Sequence, residues 1–352
     1  MLVGIDGRKV PGAAGLGPSE LLRVVKDRGL DGVLFRTVFD IAPDLAPGAL
    51  EEVRAEADAL GLYLESGLGN LNPYAMAEHP HLRRAGDGDT VRGLVRAIEA
   101  AASIGCRELW AVTGGFKRHP GRFAYDRFRT DVAWTDQLDA IARLAARLAP
   151  VCRDLGVHLN LETHEEITSF ELVRLIELVG EDVLGLTYDL INPIQRGENP
   201  LDTARRVAPY VRQTHVRDCL LALDRAGLHY LPTAVGEGSL DVGALLAEVV
   251  AAGSRPRLTL EAMTSAREAG ASPGAPHPYW SPITIELFDD DWHAAHPDLT
   301  AAELARTARL GLDPERASLL RAADGRLDDA EAERMVRSSA GYLRSLSTAA
   351  LP

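Results

Sequence analysis

The sequence predicts one (β/α)8 barrel with a C-terminal helical extension. Three observations lead there: eight short β-type runs, amphipathic helical stretches between them, and a glycine that closes most of those helices just before the next strand. Such a rhythm belongs to a parallel sheet, because each parallel strand needs a crossover before its neighbour can pair. The first run is Leu2–Ile5, followed by a helical stretch at Ser19–Arg28 and then Gly29. Gly32–Phe35 leads to Leu50–Leu60 and Gly61, and Leu62–Glu65 leads to Thr90–Ile104 and Gly105. Leu109–Thr113 is succeeded by Thr135–Leu155 and Gly156, His158–Glu162 by Ser169–Val179 and Gly180, and Leu184–Asp189 by the shorter Leu201–Val207. Val211–His215 precedes Leu240–Ala252 and Gly253, and Arg257–Glu261 is the eighth run. The helices are read from apolar residues at helical spacing among good helix formers, and from the terminal glycines as stop signals. Eight units within residues 1–265 match the usual size of a (β/α)8 barrel, about 250 residues, and a doubly wound sheet is the next candidate. Beyond them Leu299–Leu310 and Asp328–Leu346 read as helices, so residues 266–352 are expected to form a long loop after the eighth strand and a helical extension of the same domain.

Composition narrows the function. With 46% hydrophobic and 25% charged residues the chain is ordinary globular material, and a net charge of −13 argues against a nucleic-acid partner. No apolar stretch approaches the roughly 20 residues of a membrane span, and "MLVGIDGRKV" lacks the apolar core of a signal peptide, so a cytoplasmic location and no membrane partner are expected. Cys106, Cys152 and Cys219 are odd in number and show no paired metal-ligand spacing, which predicts buried structural thiols.

The informative feature is where four side chains fall. Glu162, Asp189, His215 and Glu261 end the last four β-type runs, each with apolar residues immediately upstream. In a barrel all four stand on the rim from which the loops lead into helices, the face that carries catalysis. Three carboxylates and an imidazole meeting there predict a divalent-metal site; oxygen-rich ligation suits Mn²⁺, Mg²⁺ or Co²⁺ better than a structural zinc, although Zn²⁺ stays open. Side-chain alternation adds His164 and Arg217, two residues beyond Glu162 and His215, on the same side. Asp218 and Glu165 read as caps or surface charges.

Two predicted loops on this face are long. Gly114–Trp134 carries Lys117, Arg118, His119, Arg122, Arg127 and Arg129, a basic cluster for an anionic or polyhydroxy substrate or a partner subunit, or else a solvated excursion. Met263–Trp292 is rich in Pro and Gly and holds Tyr279 and Trp280, as a semi-rigid lid would. These loops and the helical C-terminus are also where a homo-oligomer interface is expected.

The segments "LNLETH", "LTYDLINPIQRGENP", "THVRD", "VGEGSLD" and "LTLEAM", in this order, resemble the xylose isomerase-like barrel superfamily of sugar isomerases and epimerases over about residues 1–265. The resemblance implies that Glu162, Asp189, His215 and Glu261 bind one divalent ion, Mn²⁺ first among the candidates, and that the two glutamates also serve as acid and base. It departs from the ketose 3-epimerases at Asn192, where their "DxxH" pattern has histidine. The expected activity is therefore isomerisation or epimerisation of a keto-sugar or related polyol through a metal-stabilised enediolate, with His164 and Arg217 as further substrate or ligand contacts. The alternative is a lyase of the same barrel type, resembling the C-glycoside deglycosidases that cleave 3-oxo-glycosides, or a decarboxylase of an oxo-sugar acid. The resemblance to the deglycosidases' catalytic subunits also leaves room for a small accessory subunit. An apurinic endonuclease is disfavoured by the charge and by the single four-ligand set, and a non-catalytic sugar-binding or metal-binding barrel is the structural alternative.

Overall fold

Eight parallel strands close into a barrel in the computed structural model, which describes residues 1–76, 80–114, 131–270, 282–323 and 326–349. The strands are β1 (Val3–Asp6), β2 (Gly32–Phe35), β3 (Tyr63–Asn70), β4 (Glu108–Val112), β5 (His158–Glu162), β6 (Leu184–Asp189) and β7 (Val211–Val216). The chain then forms β8 (Asp218–Asp224) and β9 (Gly227–Thr233) outside the barrel before β10 (Leu258–Leu260) closes it between β7 and β1. All eight expected runs are barrel strands. Helices at Pro18–Asp27, Pro47–Leu60, Thr90–Ser103, Trp134–Leu155, Ser169–Val179, Pro200–Val207 and Val242–Ala251 fill the expected crossovers. Three of them start earlier than the apolar pattern does, on Pro18, Pro47 and Pro200, because the first helical turn needs no N–H from its opening residue. At the other ends Gly61 and Gly156 take φ of 66° and 60°, a left-handed cap that a side chain would strain.

The sequence reading passed over a second sheet. β8 and β9 form an antiparallel hairpin, and β11 (Ile283–Ile285) pairs with β9. The Met263–Trp292 segment is therefore not a loop throughout: it contains β11, and Trp292 lies buried in a short helix, Asp290–Ala294. Tyr279 and Trp280 lie outside the described residues, as does the basic cluster from Lys117 to Arg129.

Asp218, read as a cap or surface charge, is fully buried at the base of the hairpin. Its carboxylate accepts the backbone N–H groups of Cys219, Gly236, Gly238 and Leu240, and so folds the "VGEGSLD" loop around itself. The C-terminal helices are Ala301–Leu310, Pro314–Ala322, which was not anticipated, and Asp329–Ala349. Val336, Ala340 and Leu343 of the last helix join the same apolar core as the barrel strands. The three cysteines are free and buried. Among the described residues no helix is long and apolar enough to cross a membrane.

Candidate active site

The strand ends set the site. Glu162 and Asp189 are the last residues of β5 and β6, His215 is the penultimate residue of β7, and Glu261 follows β10 directly. Asp189 and His215 are register partners across β6 and β7, so their side chains leave the sheet side by side. One ligand atom from each of the four lies within 4.8 Å of the others. His215 Nδ1 sits 2.9 Å from Glu162 Oε1 and 3.3 Å from Glu261 Oε2, joining the two glutamates across the centre.

Each carboxylate is also held from outside. Trp110, in β4, donates its indole N–H to Glu162 Oε2 at 2.8 Å. Arg36, just beyond β2, donates Nη2–H to Glu261 Oε1 at 2.7 Å and Nε–H to Asp6 Oδ2 at 2.6 Å. Asp189 Oδ1 accepts the backbone N–H groups of Ile191 and Asn192, both at 2.9 Å. Arg217 brings Nε to 2.9 Å from Asp189 Oδ2, without hydrogen-bond alignment, and donates Nη2–H to Asn192 Oδ1 at 2.7 Å.

This packing perturbs the titrating groups in opposite senses. Burial raises the Asp189 carboxyl to about 7, although Arg217 pulls it down, with the Glu162 and Glu261 charges adding to the rise. Burial opposes a charged imidazole at His215, but Glu162 and Glu261 prevail and push it up to about 10. Burial also opposes ionisation of Glu261, yet Arg217 and Arg36 hold it well below the usual carboxylate range. A field that retains a proton on His215 this firmly equally favours a cation. The donor set fits a divalent ion on two further counts: three carboxylates and an imidazole are hard and borderline ligands, and His215 Nε2 is buried with no hydrogen-bond partner.

Of the other expected residues, Arg217 belongs to this centre. His164 lines the same cavity, with Nδ1 against Glu166 and Nε2 3.1 Å from Glu165. Burial disfavours its charged form, but Glu165 and Glu166 overcome that and raise it well above the ordinary value. Glu165 is no surface charge: it is buried beside the cavity, facing His164, and burial raises its carboxyl. The cavity measures about 680 Å³, and the second sheet contributes Tyr230, Pro232 and Ile283 to its wall.

The family model described as xylose isomerase-like TIM barrel matches residues 22–277. The chain belongs to that family. Its curated relatives include an uncharacterised Escherichia coli K12 protein, YihM, 31% identical over 125 residues, covering 35% of this chain and 38% of that one. The 3-oxo-isoapionate decarboxylase of Pectobacterium atrosepticum is 25% identical over 203 residues, covering 57% and 62%. The matches thus span less than two thirds of these relatives. Among solved structures, the D-psicose 3-epimerase of Clostridium cellulolyticum H10, crystallised with D-tagatose, superposes with a TM-score of 0.59 at 14% identity, over 91% of this chain and 98% of that one. That likeness is one of fold. Among these proteins are thus a decarboxylase and a sugar epimerase.

Sequence reasoning found the four clustered residues and Arg217 but missed Asp6, Arg36 and Trp110, all from the first half of the barrel. Asp6 and Arg36 obey the same strand-end rule that found Glu162; Trp110, inside a hydrophobic strand, carried no local signal.

Proposed function

We propose that this chain is a divalent-metal-dependent isomerase or epimerase that acts on a keto-sugar or related polyol by way of an enediolate. The observation that carries the reading is the convergence of Glu162, Asp189, His215 and Glu261 at one point, with Glu162 and Glu261 lining a cavity large enough for a sugar. These four would hold the ion, with Mn²⁺ the leading candidate and Mg²⁺, Co²⁺ and Zn²⁺ the others. When bound, the ion supplies Lewis-acid stabilisation of the negative charge that enolisation places on the carbonyl oxygen. Glu162 and Glu261 then act as the proton carriers, one removing the proton beside the carbonyl and the other returning one; return to the opposite face gives epimerisation. Trp110 and Arg36 each fix one oxygen of these carboxylates, which leaves the other facing His215 at the centre of the cluster. Arg217 holds Asp189, and His164, which lines the cavity between Glu165 and Glu166, is the further residue proposed for the substrate side.

A lyase outcome is the second reading, and Asn192 favours it. An amide here offers no imidazole to exchange protons, and its Oδ1 accepts from Arg217. The partial match to a decarboxylase of an oxo-sugar acid points the same way. Both readings share enolisation and differ in whether the enolate is protonated or expels a group.

Metal analysis followed by incubation in D₂O with free ketoses and, separately, 3-oxo-glycosides tests both. Deuterium at the α-carbon without release supports the isomerase, release supports the lyase, and neither outcome with any ketose removes the enolisation reading. Glu162→Gln should retain the ion and lose exchange; an unchanged rate removes Glu162 as a proton carrier. A homo-oligomer belongs to the same proposal, and sedimentation in solution tests it.

A further inference from the structure

Every cation lining the cavity has a partner among the described residues except one. Arg8 pairs with Asp40, Arg36 with Asp6 and Glu261, Arg217 with Asp189, and His164 with Glu165 and Glu166, while the His81 ring accepts from the Arg84 guanidinium. Lys9 lines the same cavity and makes no hydrogen bond or ion pair with any described residue. Its position is set by the fold: Asp6 ends β1 and its side chain accepts the Arg8 N–H at 2.9 Å, fixing the tight turn Gly7–Lys9 that carries the lysine onto the rim. The ammonium there feels Glu261 and Asp6 on one side and Arg36 and Arg217 on the other.

The charges around it explain why it is left over. The carboxylates of Asp6, Glu162, Asp189 and Glu261 would be balanced by the Arg36 and Arg217 guanidiniums together with a divalent ion. Among these groups the ammonium is then the excess charge, half-buried and without a hydrogen-bond or ion-pair partner among the described residues. A neutral sugar offers hydroxyls, which any of the surrounding polar groups also bind. A single ammonium without an ion-pair partner among the described residues matches a single negative charge, and a phosphate dianion would call for more donors than this one side chain supplies.

We propose that Lys9 receives a carboxylate of the substrate, so that the keto-sugar this enzyme takes is an oxo-sugar acid. The inference deepens the enolisation reading and rests on it. Lys9 is then a specificity residue, selecting the acid over the corresponding neutral ketose.

Two matched pairs of compounds test it: 2-keto-D-gluconate against D-fructose, and 5-keto-D-gluconate against L-sorbose, each pair differing only in a carboxylate against a hydroxymethyl group. Affinities are measured by titration calorimetry on the Mg²⁺-loaded protein, with D-fructose 6-phosphate as a further probe. In the wild type at least one acid should bind about 10-fold or more tighter than its neutral partner, the size of a charge-assisted contact. Lys9→Met and Lys9→Gln should bring that ratio to about one, and Lys9→Arg should keep most of it, with melting temperatures near the wild type as the control for folding. The proposal is overturned if the wild type shows no preference for either acid, if the preference survives in Lys9→Met and Lys9→Gln, or if the phosphate ester is preferred to both acids. Deuterium exchange separates this from the reading beneath it. Exchange into neutral ketoses without a Lys9-dependent preference defeats the inference alone, whereas a Lys9-dependent preference with no exchange into any compound defeats the enolisation reading.

Discussion

Replacing Arg36 with methionine tests how the first half of the barrel supports the ligands of the second. The guanidinium donates to Asp6 at 2.6 Å and to Glu261 at 2.7 Å, and stands 5.3 Å from the Trp110 ring centre. Asp6 is completely buried, so Arg36→Met leaves it as a charge with no ion-pair partner among the described residues. Removing one partner of such a buried pair costs about 3–5 kcal/mol. With an unfolding entropy of about 2.1 cal/mol/K per residue, a chain of 352 residues should lose about 4–7 °C in Tm. Asp6→Asn combined with Arg36→Met removes the stranded charge as well, and should recover about 1–3 kcal/mol relative to the sum of the single changes. Urea unfolding of the wild type, both single variants and the double variant measures this coupling. If the effects add to within about 0.5 kcal/mol, the buried triad is not an energetic unit and the reasoning fails. Arg36 also helps hold the Glu261 carboxyl low, so in Arg36→Met the acid limb of any activity profile should move to higher pH.

Three further outcomes follow from the same geometry. Mn²⁺ at about one hundred times its dissociation constant should stabilise the wild type by about 2.7 kcal/mol in thermal unfolding; His215→Ala should abolish the gain, and a wild-type Tm indifferent to the ion would refute the metal centre. Trp110→Phe removes the N–H donated to Glu162 and should weaken metal affinity or turnover by about 10- to 100-fold, read by calorimetry and initial rates, whereas an unchanged affinity and rate would show that this contact orients nothing. Glu198 is buried against Ser169 and Arg206, and burial raises its carboxyl from 4.5 to about 7. A folded value above the unfolded one means that its contribution, on the order of 3 kcal/mol, is complete below pH 4.5 and lost as pH rises through 7. Glu198→Gln, neutral throughout, should therefore narrow the Tm difference between about pH 5 and pH 8, and an unaltered difference contradicts the assignment.

The barrel was legible because its signals are local. Helical apolar spacing and a terminal glycine are properties of single short windows, and parallel strands buried on both faces read as apolar runs wherever they occur. The hairpin of β8 and β9 was missed for the complementary reason. It interrupts the βα rhythm between His215 and the next helix, and its runs "CLLAL" and "LHYL" gain meaning only from pairing with each other and with β11, some fifty residues beyond. Asp218 and Glu165 were misplaced because exposure is set by what packs over a residue, and nothing beside them in the chain shows that cover.

Local residue patterns were enough to set the alternation of strands and helices, the position of Glu162, Asp189, His215 and Glu261 at strand ends, and hence the face on which they meet. Their support came from the folded barrel alone, as did the placing of Lys9 beside them with no ion-pair partner among the described residues. Arg36 reaches Glu261 across 225 residues of sequence, and it does so because β10 pairs with β1 and β1 with β2. Barrel closure turns the two ends of the sequence into neighbours, and the register that aligns them is a property of the whole sheet rather than of any segment.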